Sequence, residues 1–79
     1  MNWKEHIVSD KAVLLGKPVI KGTRLSVEFI LDRLANGWSE STLLENHPNL
    51  TKEGIQAVFA YLNDCVKDGL MVEPRSKSA

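Results

Sequence analysis

The chain has 79 residues, with ten basic side chains against ten acidic ones, and a formal net charge of zero. That length allows one small domain, near the lower limit for a core that stands alone, and such chains often dimerise. Zero total charge gives none of the overall signal of a nucleic-acid binder, and the single cysteine, Cys65, excludes a scaffold built on intramolecular disulfides.

The first residues, Met1 to His6, lack the apolar run of a signal peptide, and no apolar stretch approaches membrane-spanning length, which points to the cytoplasm. Ile7-Val8, Val13 to Leu15 and Val19-Ile20 are short apolar, mostly β-branched runs broken by Ser9-Asp10-Lys11 and by Gly16-Lys17-Pro18. They read as three short strands of an arm over 1–25, each too short to be stable unless it leans on helices or pairs with a second copy. The arm is basic. Residues 1 to 26 hold Lys4, Lys11, Lys17, Lys21 and Arg24 against Glu5 and Asp10, while the rest of the chain carries five cations against eight acids. Either a solvated face or a partner surface gives this asymmetry. Lys17, Lys21 and Arg24 fall within eight residues with no acid between them, as on a protected edge strand or on an arm meeting a phosphate backbone or an acidic protein.

Three helices follow, over 26–69. Ser26 is a good N-cap, and Val27, Ile30, Leu31 and Leu34 recur at helical spacing before Asn36-Gly37, with Phe29 off that face as a second core contact, a surface residue or a dimer seam. Ser39 caps a shorter helix over Glu40 to Asn46, with Leu43 and Leu44 inward, closed by His47-Pro48. Thr51 caps the third. Its expected buried stripe is Ile55, Val58, Phe59, Leu62, Cys65 and Val66, and Asp68-Gly69 ends it. The tail over 70–79 has the composition of a frayed end. A short second and a long third helix joined by tight turns is the layout of a tri-helical helix-turn-helix, and three-helix bundles without DNA function share it.

On a helix-turn-helix the exposed face near the start of the third helix reads the groove. Lys52, Gln56, Asn63 and Lys67 project opposite the expected apolar stripe, and Gln and Asn pair with adenine in a bidentate way. Thr51 and the first free amides can hold a phosphate. Glu53, Asp64 and Asp68 lie near that face and oppose DNA.

Enzyme readings find no constellation. His6 and His47 lack metal-ligand spacing with each other or with Cys65, and Cys65 reads as a small core residue without a neighbouring base. Gly16-Lys17 is followed by proline and position 11 is lysine, so no phosphate-binding loop is present; the carboxylates are scattered. Trp3 and Trp38 read as anchors of the arm and of the first helix turn.

Three stretches, Gly16 to Val27, Leu34 to Ser39 and His47 to Ile55, resemble the small bacterial family known as domain of unknown function four-three-three, over roughly Ile7 to Cys65. Gly54 stands where that family often has Asp or Glu, which weakens the start of the third helix by roughly 1 kcal/mol. The resemblance implies a mainly α, homeodomain-like tri-helical bundle behind a short N-terminal β arm. It also implies a VapB-like antitoxin of a type II toxin–antitoxin pair, whose partner is a PIN-like ribonuclease toxin, with no enzymatic activity and no cofactor or metal of its own.

The expected mechanism has two parts. A homodimer paired through Val13 to Ile20 presents two third helices to operator DNA, with Thr51, Lys52, Gln56 and Asn63 at the groove and Lys17, Lys21 and Arg24 on phosphates. The acidic rear or the tail after Gly69 blocks the RNA-binding surface of the toxin. The competing expectation is a protein–protein interaction module without DNA binding.

Overall fold

A computed structural model describes residues 1–69, and the C-terminal tail at 70–79 lies outside them. The described elements are β1 (Ile7–Val8), β2 (Val19–Ile20), α1 (Val27–Ala35), α2 (Glu40–Asn46) and α3 (Lys52–Lys67), with single 3-10 turns at Trp3–Glu5 and Leu14–Gly16. The fold is mainly α with a short β arm, as the sequence predicts.

The arm closes on itself. β1 and β2 pair antiparallel within one chain, Ile7 opposite Ile20 and Val8 opposite Val19. Ile7, Val19 and Ile20 turn into the core, and Val8 faces outward. The arm is then tied to α1 by the backbone: Ile20 donates to the carbonyl of Leu25, and Val27 donates to that of Pro18. Of the two pairings the sequence leaves open for the arm, within one chain or with a second copy, Ile7-Val8 and Val19-Ile20 form the first.

The segment Val13 to Leu15, expected as a strand, is not one. Asp10 Oδ1 accepts from the Ala12 amide and the Val13 amide donates to the Asp10 carbonyl, which turns the chain tightly. Leu14 and Leu15 then adopt φ values of 49° and 58°, the left-handed region that leucine rarely enters. Val13 is half-buried and bridges only to Asp10, while Leu14 is 46% and Leu15 93% exposed.

All three helices start on side-chain caps. Ser26 Oγ accepts from the Phe29 amide at 2.9 Å, Ser39 Oγ from Thr42 at 3.1 Å and Thr51 Oγ1 from Gly54 at 3.0 Å. His47 leaves helical geometry ahead of Pro48 and ends α2. Ile30, Leu43, Ile55 and Val58, contributed by all three helices, are the largest fully buried side chains and form the centre of the core.

The buried face of α3 is turned from the expected stripe. Gly54, Ile55, Ala57 and Val58 are buried, whereas Phe59 is 47% and Val66 60% exposed. A wheel weighted by side-chain size misses this. Small residues mark where a helix is approached most closely, and here the arm lies on them: the position a Gly54 Cβ would take is 3.2 Å from Ile20 Cγ2. The turn of the helix, about 60° at 100° per residue, brings Tyr61 under the Trp3 ring, edge to face at 4.7 Å. Cys65 is half-buried, further along α3 than the core residues Ile55, Ala57 and Val58.

Candidate nucleic-acid interface

The sequence marks two groups of residues, a basic arm and an exposed face of α3, and the fold brings only part of each together. Lys21 follows Ile20, which sits against Gly54 in the first turn of α3. Arg24 lines a cleft of about 610 Å³ together with His47, Pro48 and Asn49 of the α2–α3 turn. Asn49 stands two residues before Thr51, the cap of α3. Lys21, Arg24, the α2–α3 turn and the start of α3 therefore share one end of the bundle. Both cations are exposed, and neither makes an ion pair among the described residues.

Lys17 is placed elsewhere. Its Nζ lies 2.9 Å from Glu28 Oε1, at the rim of a different feature, so its charge is already answered. That feature is an open groove of about 690 Å³ between α1 and α3, with Val27, Leu31, Ala35, Leu62 and Cys65 among its walls. Tyr61 borders it too. Burial pushes the Tyr61 phenol above its ordinary pKa, and the neighbouring Cys65 thiol adds to the effect.

Along α3, Lys52, Gln56, Asn63 and Lys67 are exposed, on one side of the helix. Thr51 is engaged through its Oγ1 with the Gly54 amide, so its hydroxyl serves the helix first. Lys52 and Gln56 belong to the basic end, whereas Asn63 stands about 16 Å beyond Lys52 and about 10 Å beyond Gln56 along the axis at 1.5 Å per residue. Phe59 projects between Gln56 and Asn63 on the same side, and the turn of the helix described above is what exposes it.

Two of the acids behave differently from their position in sequence. Asp64 accepts a 2.6 Å hydrogen bond from the Trp3 indole, which holds its charge toward the arm. Glu53, beside Lys52, makes no ion pair among the described residues, and its carboxylate remains at the α3 start. The aromatic side chains of α1 and its exit gather around one guanidinium: Arg33 lies 4.5 Å from the Phe29 ring centroid and 5.4 Å from that of Trp38. Phe29, expected off the core face, thus forms a half-buried contact there, with His47 edge-on at 5.4 Å.

His47 and Asn49 were not among the candidate interface residues. Their signal in sequence is positional: they occupy the turn that precedes α3, and such a turn faces whatever the helix start faces. What the sequence does not contain is the loop Gly22 to Leu25 lying across from them. Among the described residues no helix is long and apolar enough to cross a membrane, and no three His, Cys, Asp or Glu side chains gather as metal ligands.

A family model described as "Protein of unknown function (DUF433)" matches residues 7–62. A crystal structure of a DUF433 member protein from Anabaena variabilis ATCC 29413 superposes with a TM-score of 0.71 at 27% sequence identity, covering 78% of this chain and 61% of that one. The chain thus spans about three fifths of the length of that solved relative. No curated protein matches it.

Proposed function

We propose a function for this chain, which belongs to the DUF433 family, as a DNA-binding antitoxin of a type II toxin–antitoxin pair that represses its own operator. The observation that supports this most is that Arg24 lines a cleft with the α2–α3 turn and Lys21 follows Ile20, which packs on Gly54, so both cations lie at the end of the bundle where α3 starts. In that reading α2 and α3 act as the helix-turn-helix. Gln56 addresses base edges, Lys52, Lys21 and Arg24 bind phosphates, and Asn63 reaches the flank of the groove. A homodimer sets the spacing of two copies of α3 on a palindromic site. The protein works in the cytoplasm without catalysis of its own. It neutralises a PIN-like ribonuclease by covering the toxin's basic RNA-binding surface with its acidic rear and with the tail beyond Gly69, which lies outside the described residues.

A salt-titrated gel shift of the purified chain against the DNA upstream of its own gene, with an unrelated duplex as control, tests the first part. Specific retardation that weakens steeply with salt is the expected result. Absence of binding at low salt would remove the DNA reading.

One observation favours the second reading, a protein–protein interaction module. Phe59, 47% exposed, stands at the edge of the proposed reading face, with Val66 two turns further along, and exposed aromatic side chains are typical anchors of protein interfaces. Co-purification of a partner that is lost on Phe59→Ala, with no DNA retardation, would select that reading.

A further inference from the structure

We infer that the cleft between the Gly22–Leu25 loop and the α2–α3 turn is a seat for a phosphate group. Its volume is about 610 Å³ and, among the described residues, no carboxylate lines it. Four polar side chains border it: Thr23 is engaged with the backbone of its own loop, whereas the side chains of Arg24, His47 and Asn49 make no hydrogen bond or ion pair among the described residues. Arg24 differs in this from Lys17, which is answered by Glu28, and from Arg33, the other described arginine, which is held by Asp32 and two aromatic rings.

The walls are built before any ligand arrives. Thr23 Oγ1 donates to the Ile20 carbonyl at 2.8 Å and accepts from the Leu25 amide at 3.0 Å, which fixes the loop from which Arg24 projects. The Phe29 ring meets the His47 imidazole edge-on at an interplanar angle of 86°, and His47 donates its backbone amide to Leu43 at 3.0 Å. Gly22 has φ of +82° with no heavy atom within 4 Å of where a Cβ would stand, so the backbone there is open to close approach. A guanidinium fork, an imidazole and a carboxamide around an acid-free cleft match the several oxygens of a tetrahedral oxyanion, and Arg suits bidentate phosphate recognition.

The phosphate comes either from a nucleic-acid backbone, in which case the seat deepens the DNA-binding reading and rests on it, or from a free nucleotide. The experiment is a nitrogen-15 amide titration of the full chain with inorganic phosphate, against sodium chloride at matched ionic strength. Saturable shifts confined to residues 22–25 and 47–49 are expected. Affinity should fall roughly tenfold in Arg24→Gln and in His47→Gln, as for the loss of one charge-assisted partner, and hold in Lys17→Gln. A response no larger than with chloride, or Arg24→Gln binding like the parent while its remaining spectrum shows it folded, would overturn the inference.

Two further titrations identify the source. If a short duplex perturbs the same amides and loses affinity with Arg24→Gln, the seat serves the DNA backbone. If a 5′-mononucleotide competes with phosphate while duplex binding ignores Arg24→Gln, the ligand is a free nucleotide. A chain that binds phosphate but no duplex keeps the seat and loses the DNA reading, and the reverse outcome does the opposite.

Discussion

The indole Nε1 of Trp3 donates a 2.6 Å hydrogen bond to Asp64 Oδ2, joining residues 61 positions apart. The same ring meets Tyr61 edge to face, so a single side chain near the start of the chain clasps the second half of α3. Without it the N-terminal turn would make few lasting contacts. Trp3→Phe keeps most of the ring and loses the hydrogen bond, and should cost about 1 kcal/mol. Trp3→Ala also loses the buried area and the aromatic pair, and should cost about 2–3 kcal/mol. Urea unfolding of both variants, each also made with Asp64→Ala, checks this; a Trp3→Phe cost unchanged by Asp64→Ala would show that the hydrogen bond contributes nothing.

Gly54 shows how a local reading and a tertiary one pull in opposite directions. Taken alone it is a weak helix former, and replacing it by alanine should add about 1 kcal/mol. In place, a Cβ would lie 3.2 Å from Ile20 Cγ2 and 3.4 Å from both Leu50 Cδ1 and Thr51 Oγ1. Ile20 is held by its sheet pairing and is 4% exposed, so it yields little. Overpacking of this kind costs about 1–3 kcal/mol, and Gly54→Ala should therefore be net destabilising by about 1 kcal/mol. In an Ile20→Ala background the crowding is relieved and the same change should become stabilising. Thermal unfolding of the four proteins tests the change of sign, and additive effects would refute the packing account.

Much of the fold was legible in the sequence because its signals are local. Ser26, Ser39 and Thr51 mark the helix starts, and Asn36-Gly37 and His47-Pro48 mark two ends, through hydrogen bonds and dihedral limits that need no distant partner. The face of α3 was less legible. Side-chain size places Phe59 inside, but Gly54 and Ala57 allow the arm to approach, and the helix turns to meet it. For the candidate interface, charge picked out Lys17, Lys21 and Arg24 as one group. Only tertiary structure separates Lys17, which is paired with Glu28, from the other two. His47 and Asn49 carry only the positional signal of the turn before α3, and it is the loop holding Arg24, laid across from them, that makes a cleft of it.

Leu15 carries a backbone cost without a burial gain. Its φ of 58° lies in the left-handed region, where a leucine costs about 1 kcal/mol, and its side chain is 93% exposed. Asparagine tolerates this region, so Leu15→Asn should stabilise the chain by about 0.5 kcal/mol. A β-branched residue fits it worse, and Leu15→Val should destabilise by about 1 kcal/mol. Equal stability of the two variants in chemical denaturation would mean that the loop relaxes out of this conformation.

Tyr61 is the only tyrosine, so its titration can be followed by phenolate absorbance without ambiguity. Burial, with help from Cys65, raises its pKa, which means that the folded chain favours the neutral phenol. The associated stability is fully present below the ordinary tyrosine value and is lost as pH rises through the higher folded value, above about pH 10. Cys65→Ala should move the titration back toward the ordinary value without abolishing the shift, because burial remains. A midpoint at the ordinary value in the parent chain would contradict this account.

On the proposed DNA-binding function, the geometry ranks the cations by what they should contribute. Lys21, Arg24 and Lys52 share one end of the bundle and are free of partners among the described residues, so each should add close to one unit to the salt dependence of affinity. Lys17 holds Glu28 at 2.9 Å in a surface pair worth little to stability, and engaging a phosphate would release that carboxylate beside the DNA. Lys17→Ala should therefore leave both the affinity and the salt slope nearly unchanged, whereas Lys21→Ala, Arg24→Ala and Lys52→Ala should each lower the slope by about 0.9. Gln56→Ala should lower affinity for the operator over an unrelated duplex by about 1–3 kcal/mol while keeping the slope, since a base contact releases no counterion. Salt titrations of these variants separate the two kinds of contact. A Lys17 effect equal to that of Arg24 would mean that DNA approaches the groove between α1 and α3 and not the start of α3.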